Sequence, residues 1–192
     1  MYLDAVEHLI EPGDVLLFRG GLLHSRVIQR WTRSVYSHVG IVHRPTTAGR
    51  SCLDVLEATE GYGIRTFPLR QYLERGDAVD WFAITDRTIN RDAVVRWCWD
   101  RRGYGYASPR QLLRSFVTVP LLESLGLPTR IDRRRRFCSW LAAEALQAGG
   151  YRPPAADELV PELTSPGGVA LFTCLQRRGP LRLRSKGGEL EH

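Results

Sequence analysis

Three side chains in this sequence have the types needed to break an amide or ester bond. They are a thiol, an imidazole and a carboxylate. Cys138 lies in FCSWLAAEAL (137–146), immediately before a strongly helical segment. At a helix start, free backbone N–H groups and the positive end of the helix dipole stabilise a thiolate. The same N–H groups can receive an oxyanion forming beside the sulfur. His38 lies in SHVGIVHR (37–44) and Glu57 in CLDVLEAT (52–59), both reading as strands joined by a short loop. An antiparallel pair would bring imidazole and carboxylate within reach. Glu57 lies between Leu56 and Ala58 and would be costly if buried alone. An imidazole N–H removes that cost and fixes the ring tautomer. Cys138, His38 and Glu57 thus have the composition of nucleophile, base and orienting residue.

Each of the three also has an ordinary reading. A cysteine in an apolar stretch is more often a packed core residue, and a strand histidine more often a hydrogen-bonded structural one. Glu57 alone would be a surface or salt-bridged carboxylate. The other candidates are weaker. His8 falls in an N-terminal helix and His24 in a glycine-flanked turn. His43 is five residues from His38, so strand alternation points the two to opposite faces. Gly40, two residues from His38, is expected to leave space beside the ring for a substrate. Cys98, between Trp97 and Trp99 on a helix, reads as core. Cys52 and Cys174 lie at strand edges with no nearby motif.

The elements that must position these groups follow from periodicity and punctuation. GDVLLFRG (13–20), SHVGIVHR, CLDVLEAT and VDWFAITD (79–86) read as strands. SRVIQRWTRS (25–34) has helical spacing of Val27, Ile28 and Trp31. PLRQYLERG (68–76) reads as a helix closed by Gly76, and NRDAVVRWCWDRRG (90–103) as a helix capped by Asn90 and ended by Gly103. SWLAAEALQAGG (139–150) is the strongest helical segment. VALFTCLQ (169–176) is expected to be a final strand in a tail that is otherwise loop. Strands cluster before the main helices, which argues for an α+β domain with an antiparallel sheet. One domain is expected over residues 1–188, with 189–192 as a tag remnant and disordered tail.

The 192 residues are 43% hydrophobic and 25% charged, ordinary for a globular protein. No run approaches the roughly 18–20 apolar residues of a membrane span. MYLDAVEHLIEPGD lacks a basic leader region, so the chain is expected to be cytoplasmic. The four cysteines are widely separated, with no CxxC and no paired Cys/His spacing. Zinc is therefore not expected, nor any other metal or cofactor, and free thiols in a reducing compartment are. The net charge is +6, carried by arginine apart from Lys186, and the densest basic run is Arg133 to Arg136. That balance permits a polyanion or an acidic membrane as a peripheral contact without selecting one.

The ordered set GDVLLFRG, VIQRWTRSVYSHVGIV, VLEATEGYGIRTFPL, RGYGYA, RFCSWLAAEAL and TSPGG resembles the YiiX-like branch of the NlpC superfamily, the circularly permuted papain-like cysteine hydrolases. The resemblance spans roughly residues 11–175. In that branch the histidine strand comes first and the cysteine helix last, as here. It implies a small antiparallel sheet packed against a cysteine-bearing helix. It implies Cys138 in FCSWL as nucleophile, His38 in SHVGIV as general base and Glu57 in VLEA as the third residue. It departs from the family in two places. RGYGY lacks an aspartate usual after the tyrosine, leaving Tyr104 and Tyr106, and Trp140 stands where the family often has glutamate.

Three functions follow as expectations. The first is a cysteine hydrolase of peptidase or amidase type, working through a thioester on a peptide or cell-wall peptide. The second keeps the nucleophile but takes an acyl-lipid, suggested by the apolar stretch SFVTVPLLESLGLP (115–128). The third is a non-catalytic basic binding module. Aromatic residues are not interleaved with Arg133 to Arg136, so no specific nucleic-acid platform is expected.

Overall fold

A computed structural model describes residues 1–20, 34–45, 52–59, 61–104, 138–153, 161 and 164–184. The chain begins with a helical turn, α1 (Leu3–Val6), and a 3-10 turn, Glu7–Leu9. Four strands follow: β1 (Val15–Arg19), β2 (His38–His43), β3 (Asp54–Thr59) and β4 (Gly63–Pro68). Then come α2 (Leu69–Glu74), β5 (Ala78–Ile84), α3 (Arg91–Trp99) and α4 (Cys138–Ala148). A short helix α5 (Pro166–Val169) precedes β6 (Leu175–Leu181). The strands form one sheet in the order β4-β3-β2-β1-β5-β6, with every neighbouring pair antiparallel. The α+β expectation holds at this level.

Alternation along the strands builds two apolar layers. Val15, Leu17, Val39, Ile41, Leu56, Ala58, Phe82 and Ile84 face a layer shared with α3 and α4. Leu16, Phe18, Val42, Val55, Val79, Trp81 and Ala83 face a second layer that includes Leu69, Tyr72 and Leu73 of α2. The central strands are covered on both sides, which is why GDVLLFRG reads as a continuous apolar run. Helix starts and stops follow local chemistry. Asn90 accepts from Ala93 N–H at 3.0 Å and caps α3, and Gly76 closes α2 at φ +82°.

Buried Asp14 ties β1 to β5 and α3. It accepts from Trp81 Nε1 at 2.8 Å, Ile84 N at 3.0 Å and Arg91 Nη1 at 2.8 Å. A buried carboxylate is tolerable with donors saturating its oxygens.

Two elements differ from the sequence reading. GIRTFP (63–68) is a strand, β4, hairpinned onto β3. The expected strand over VALFTCLQ is replaced by α5 and then β6. Ser165 caps α5 by accepting from Gly168 N–H at 3.0 Å, and Pro166 begins the helix with φ already set. The segments 25–33, 115–128 and 133–136 lie outside the described residues.

Gly40 does not open space for a substrate. A Cβ there would overlap Val55 Cγ1 and lie 3.2 Å from the Leu56 carbonyl oxygen. The glycine instead lets β3 approach β2 closely, which carries Glu57 toward His38. Gly40→Ala is expected to cost about 1–3 kcal/mol in a denaturant unfolding curve. Adding Val55→Ala should return part of that loss. An unchanged midpoint in the single variant would contradict this packing.

Candidate active site

His38 is the first residue of β2 and is reached from both layers. The strand's entry is pinned by Ser37 N–H donating to Phe18 O at 2.9 Å and by Tyr36 OH donating to buried Asp80 at 2.7 Å. Asp80 is also paired with Arg19 and Arg177. On the second layer, the imidazole lies 5.2 Å from the Phe18 ring, centroid to centroid. Its Nε2 is 2.7 Å from Glu57 Oε2. An ionised carboxylate can only accept, so Nε2 carries the proton and Nδ1 is left as the second functional nitrogen. From the first layer comes Cys138, the first residue of α4, near enough to act electrostatically on the same ring.

Glu57 is fully buried and fully engaged. Oε1 accepts from Arg65 Nε at 3.0 Å, and Tyr72 OH reaches Oε1 at 2.6 Å and Oε2 at 2.7 Å. Arg65 is its cross-strand partner on β4, and Tyr72 comes from α2. Burial disfavours the Glu57 charge, but His38, Tyr72 and Arg65 together outweigh it and hold its pKa below the ordinary value. Burial and the Glu57 charge push the Tyr72 phenol upward, so it remains a neutral donor.

Burial also works against a charge on His38. Attraction to Cys138 and to Glu57 overcomes it and raises the imidazole to about 10. A folded pKa raised from 6.5 to about 10 stabilises the fold fully below 6.5, and that contribution is lost as pH rises through about 10. In 15N-labelled protein, the His38 ring should remain imidazolium through pH 8. In Cys138→Ala its midpoint should fall, because the first attraction is gone. A His38 midpoint unaffected by that substitution would contradict Cys138 as a source of the shift.

The other titratable candidates separate from this site. His43 faces away from His38 and meets the Trp99 ring at a tilt, centroids 4.8 Å apart, and burial lowers its pKa. His8 is exposed. Burial pushes the Cys98 thiol far up and Cys174 up to about 12, so neither is poised as a nucleophile. Cys52 is exposed and Cys138 buried. Tyr104 is exposed and pairs through its backbone with Ile64 on the outer edge of β4, while Tyr106 lies outside the described residues. Trp140 is buried in α4. Among the described residues, no group of three His, Cys, Asp or Glu side chains could hold a metal ion.

Sequence reasoning placed Cys138, His38 and Glu57 and missed Arg65 and Tyr72. Arg65 had a signal. A hairpin turning about TEGYG pairs position 57 with 65, and the observed register does so. Tyr72 had none, because α2 reaches Glu57 only through the folded second layer.

Against known structures, this chain superposes on the crystal structure of the metalloprotein yiiX from Escherichia coli O157:H7 with a TM-score of 0.60 and 17% identity. The match covers 87% of this chain and 95% of that one. The chain has a YiiX-like fold. No protein-family model and no curated protein matches the sequence. Within the YiiX-like fold, His38 and Glu57 lie on adjacent central strands and Cys138 opens the helix packed over them. No helix among the described residues is long and apolar enough to cross a membrane.

Proposed function

We propose that this protein is a cysteine hydrolase of the amidase or peptidase type, with a circularly permuted papain-like arrangement. Cys138 is the nucleophile, His38 the acid–base partner and Glu57 the orienting residue. The supporting observation is the His38 ring, held by Glu57 at 2.7 Å on one nitrogen, with Cys138 at the start of α4 acting on the same ring.

The reaction follows from these groups. The Cys138 thiolate attacks the carbonyl carbon, and the carbonyl π electrons move to oxygen. Backbone N–H groups at the start of α4 lack intrahelical acceptors and are suited to receive that oxyanion. The tetrahedral intermediate collapses, the C–N bond breaks, and the imidazolium gives its proton to the leaving amine. A thioester on Cys138 remains. Water then attacks the thioester while His38 takes its proton, releasing the acid and regenerating the thiolate–imidazolium pair. Glu57 holds the ring throughout and exchanges no proton, because its oxygens are already bonded to Arg65, Tyr72 and His38.

The structural neighbour is described as a metalloprotein. The donors around His38 do not fit a metal here. Glu57 accepts from a guanidinium and a phenol, and among the described residues no three-ligand group is present. No step is therefore routed through a metal.

The test is a panel of acyl nitroanilides and acyl esters, with peptide and long-chain acyl groups, followed by intact mass. The expected result is release of the leaving group with an acyl mass trapped on Cys138. Turnover with the acyl group on no cysteine would contradict the mechanism. Preference for a long acyl chain would move the substrate class to acyl-lipids while leaving the chemistry in place.

A further inference from the structure

We infer that Arg65 is the charge-balancing residue of this site, completing an alternating chain Cys138(−)–His38(+)–Glu57(−)–Arg65(+) whose sum is zero, and that it thereby sets the pH range in which Cys138 reacts. The inference rests on the thiol hydrolase reading and adds a positioning residue to it.

The reactive form of a cysteine hydrolase carries a thiolate and an imidazolium. Here a third charge, Glu57, is fully buried beside the imidazolium. Those three alone leave one uncompensated negative charge in a buried location, which is expensive in a low-dielectric surrounding. Arg65 supplies the fourth charge at 3.0 Å from Glu57. It is not a loose surface cation. Its guanidinium carbon lies 4.6 Å from the Tyr62 ring centroid and 4.8 Å from that of Phe67. The β3–β4 register sets it directly across from Glu57. Ring stacking and the planar fork fix its orientation.

Among the described residues, the surrounding elements supply no substitute for that charge. From α2, Tyr72 gives a neutral hydroxyl to both Glu57 oxygens. Beyond α2, Asp77 interacts with His38 and Glu57, but it is exposed and counterbalanced by Arg75, which stacks on Phe67. From β1, the neighbour is the apolar ring of Phe18. From α4 the group is Cys138 itself.

The consequence has a definite sign. Removing a positive charge makes each remaining group hold its proton more tightly. Both limbs of the Cys138 reactivity profile should therefore move to higher pH, the rise as the thiolate forms and the later change as His38 loses its proton. Removing Glu57's charge should move both limbs the other way. Removing both charges restores the sum to zero. A residue that merely held the hairpin together would lower the rate without this pattern.

The experiment is iodoacetamide alkylation of Cys138 from pH 4 to 11, read by intact mass and peptide mapping. It compares wild type, Arg65→Gln, Arg65→Lys, Glu57→Gln and the Arg65→Gln/Glu57→Gln double variant. Arg65→Gln should shift both limbs up by about one pH unit, which is about tenfold in rate on the acidic limb. Arg65→Lys should restore the wild-type profile. Glu57→Gln should shift the limbs down, and the double variant should return them toward wild type. If Arg65→Gln fails to fold, the step from Glu57→Gln to the double variant reads the same charge. Limbs that stay in place on loss of Arg65, or that Arg65→Lys fails to restore in a folded protein, overturn this inference alone. A wild-type Cys138 no faster than Cys52 overturns the hydrolase reading together with it.

Discussion

Cys138→Ala is expected to lower turnover of any substrate by about 10⁴-fold or more, while the protein remains folded. In the proposed mechanism the thiol supplies the bond-forming electron pair, and among the described residues no other side chain at the site is placed to replace it. Glu57 is saturated by Arg65, Tyr72 and His38, and Cys98 and Cys174 are held as thiols by burial. Alanine keeps the Cβ of a residue packed in the α4 layer but removes the partner that raises His38, so some stability at neutral pH is lost while the fold persists. Thermal melting and turnover on the acyl panel measure the two separately. A variant that melts like wild type and retains more than a hundredth of its rate would remove Cys138 from the chemistry.

Glu57→Ala is expected to have the largest effect on stability, about 3–5 kcal/mol, together with near-complete loss of activity. The deletion leaves the Tyr72 hydroxyl, the Arg65 guanidinium and the His38 N–H without their shared acceptor. Each is a group whose desolvation was compensated by this one carboxylate. For a chain of this length each kcal/mol corresponds to about 2–4 °C in Tm. A fall of roughly 6–20 °C follows from these two ranges. Glu57→Gln keeps an oxygen for Tyr72 and Arg65 and should fall less. A melting temperature unchanged by Glu57→Ala would mean that the buried network contributes nothing, against the geometry.

These two residues also mark what the sequence made legible. Cys138 and Glu57 stood out because their neighbours made them anomalous. One is a thiol at the start of a strong helix, and the other a carboxylate inside an apolar strand. The strands that flank them were readable because a sheet covered on both faces gives dense β-branched and aromatic runs. The helices were readable from Asn90 and Gly76. β6 was not readable. LQRRGPL has neither alternation nor a continuous apolar run, because it is an edge strand whose arginines are exposed, Arg177 while reaching Asp80, and whose Gly179 and Pro180 are tolerated at an edge. The apolar run just before it, VALFTC, looked more like a strand than the strand did. Ser165 and Pro166 draw its beginning into a helical turn.

Gly40 shows a second kind of limit. A glycine beside a candidate base can mean room for a ligand or room for a neighbouring strand, and only the position of Val55 decides between them. Here the close strand approach sets Glu57 against His38. Arg65 could have been found by counting across the hairpin. The nearness of Cys138 to His38 could not be counted in this way and rested on residue chemistry and the order of motifs, because the two are far apart in sequence and belong to opposite apolar layers that meet at the end of β2.

The most direct test of the central claim is the rate of iodoacetamide alkylation at mildly acidic pH, mapped to each cysteine, in wild type and His38→Ala. An activated thiolate paired with His38 requires that Cys138 alkylate well ahead of Cys52, Cys98 and Cys174, and that its lead collapse in His38→Ala. A Cys138 that reacts no faster than exposed Cys52, or that keeps its rate without His38, would contradict the account.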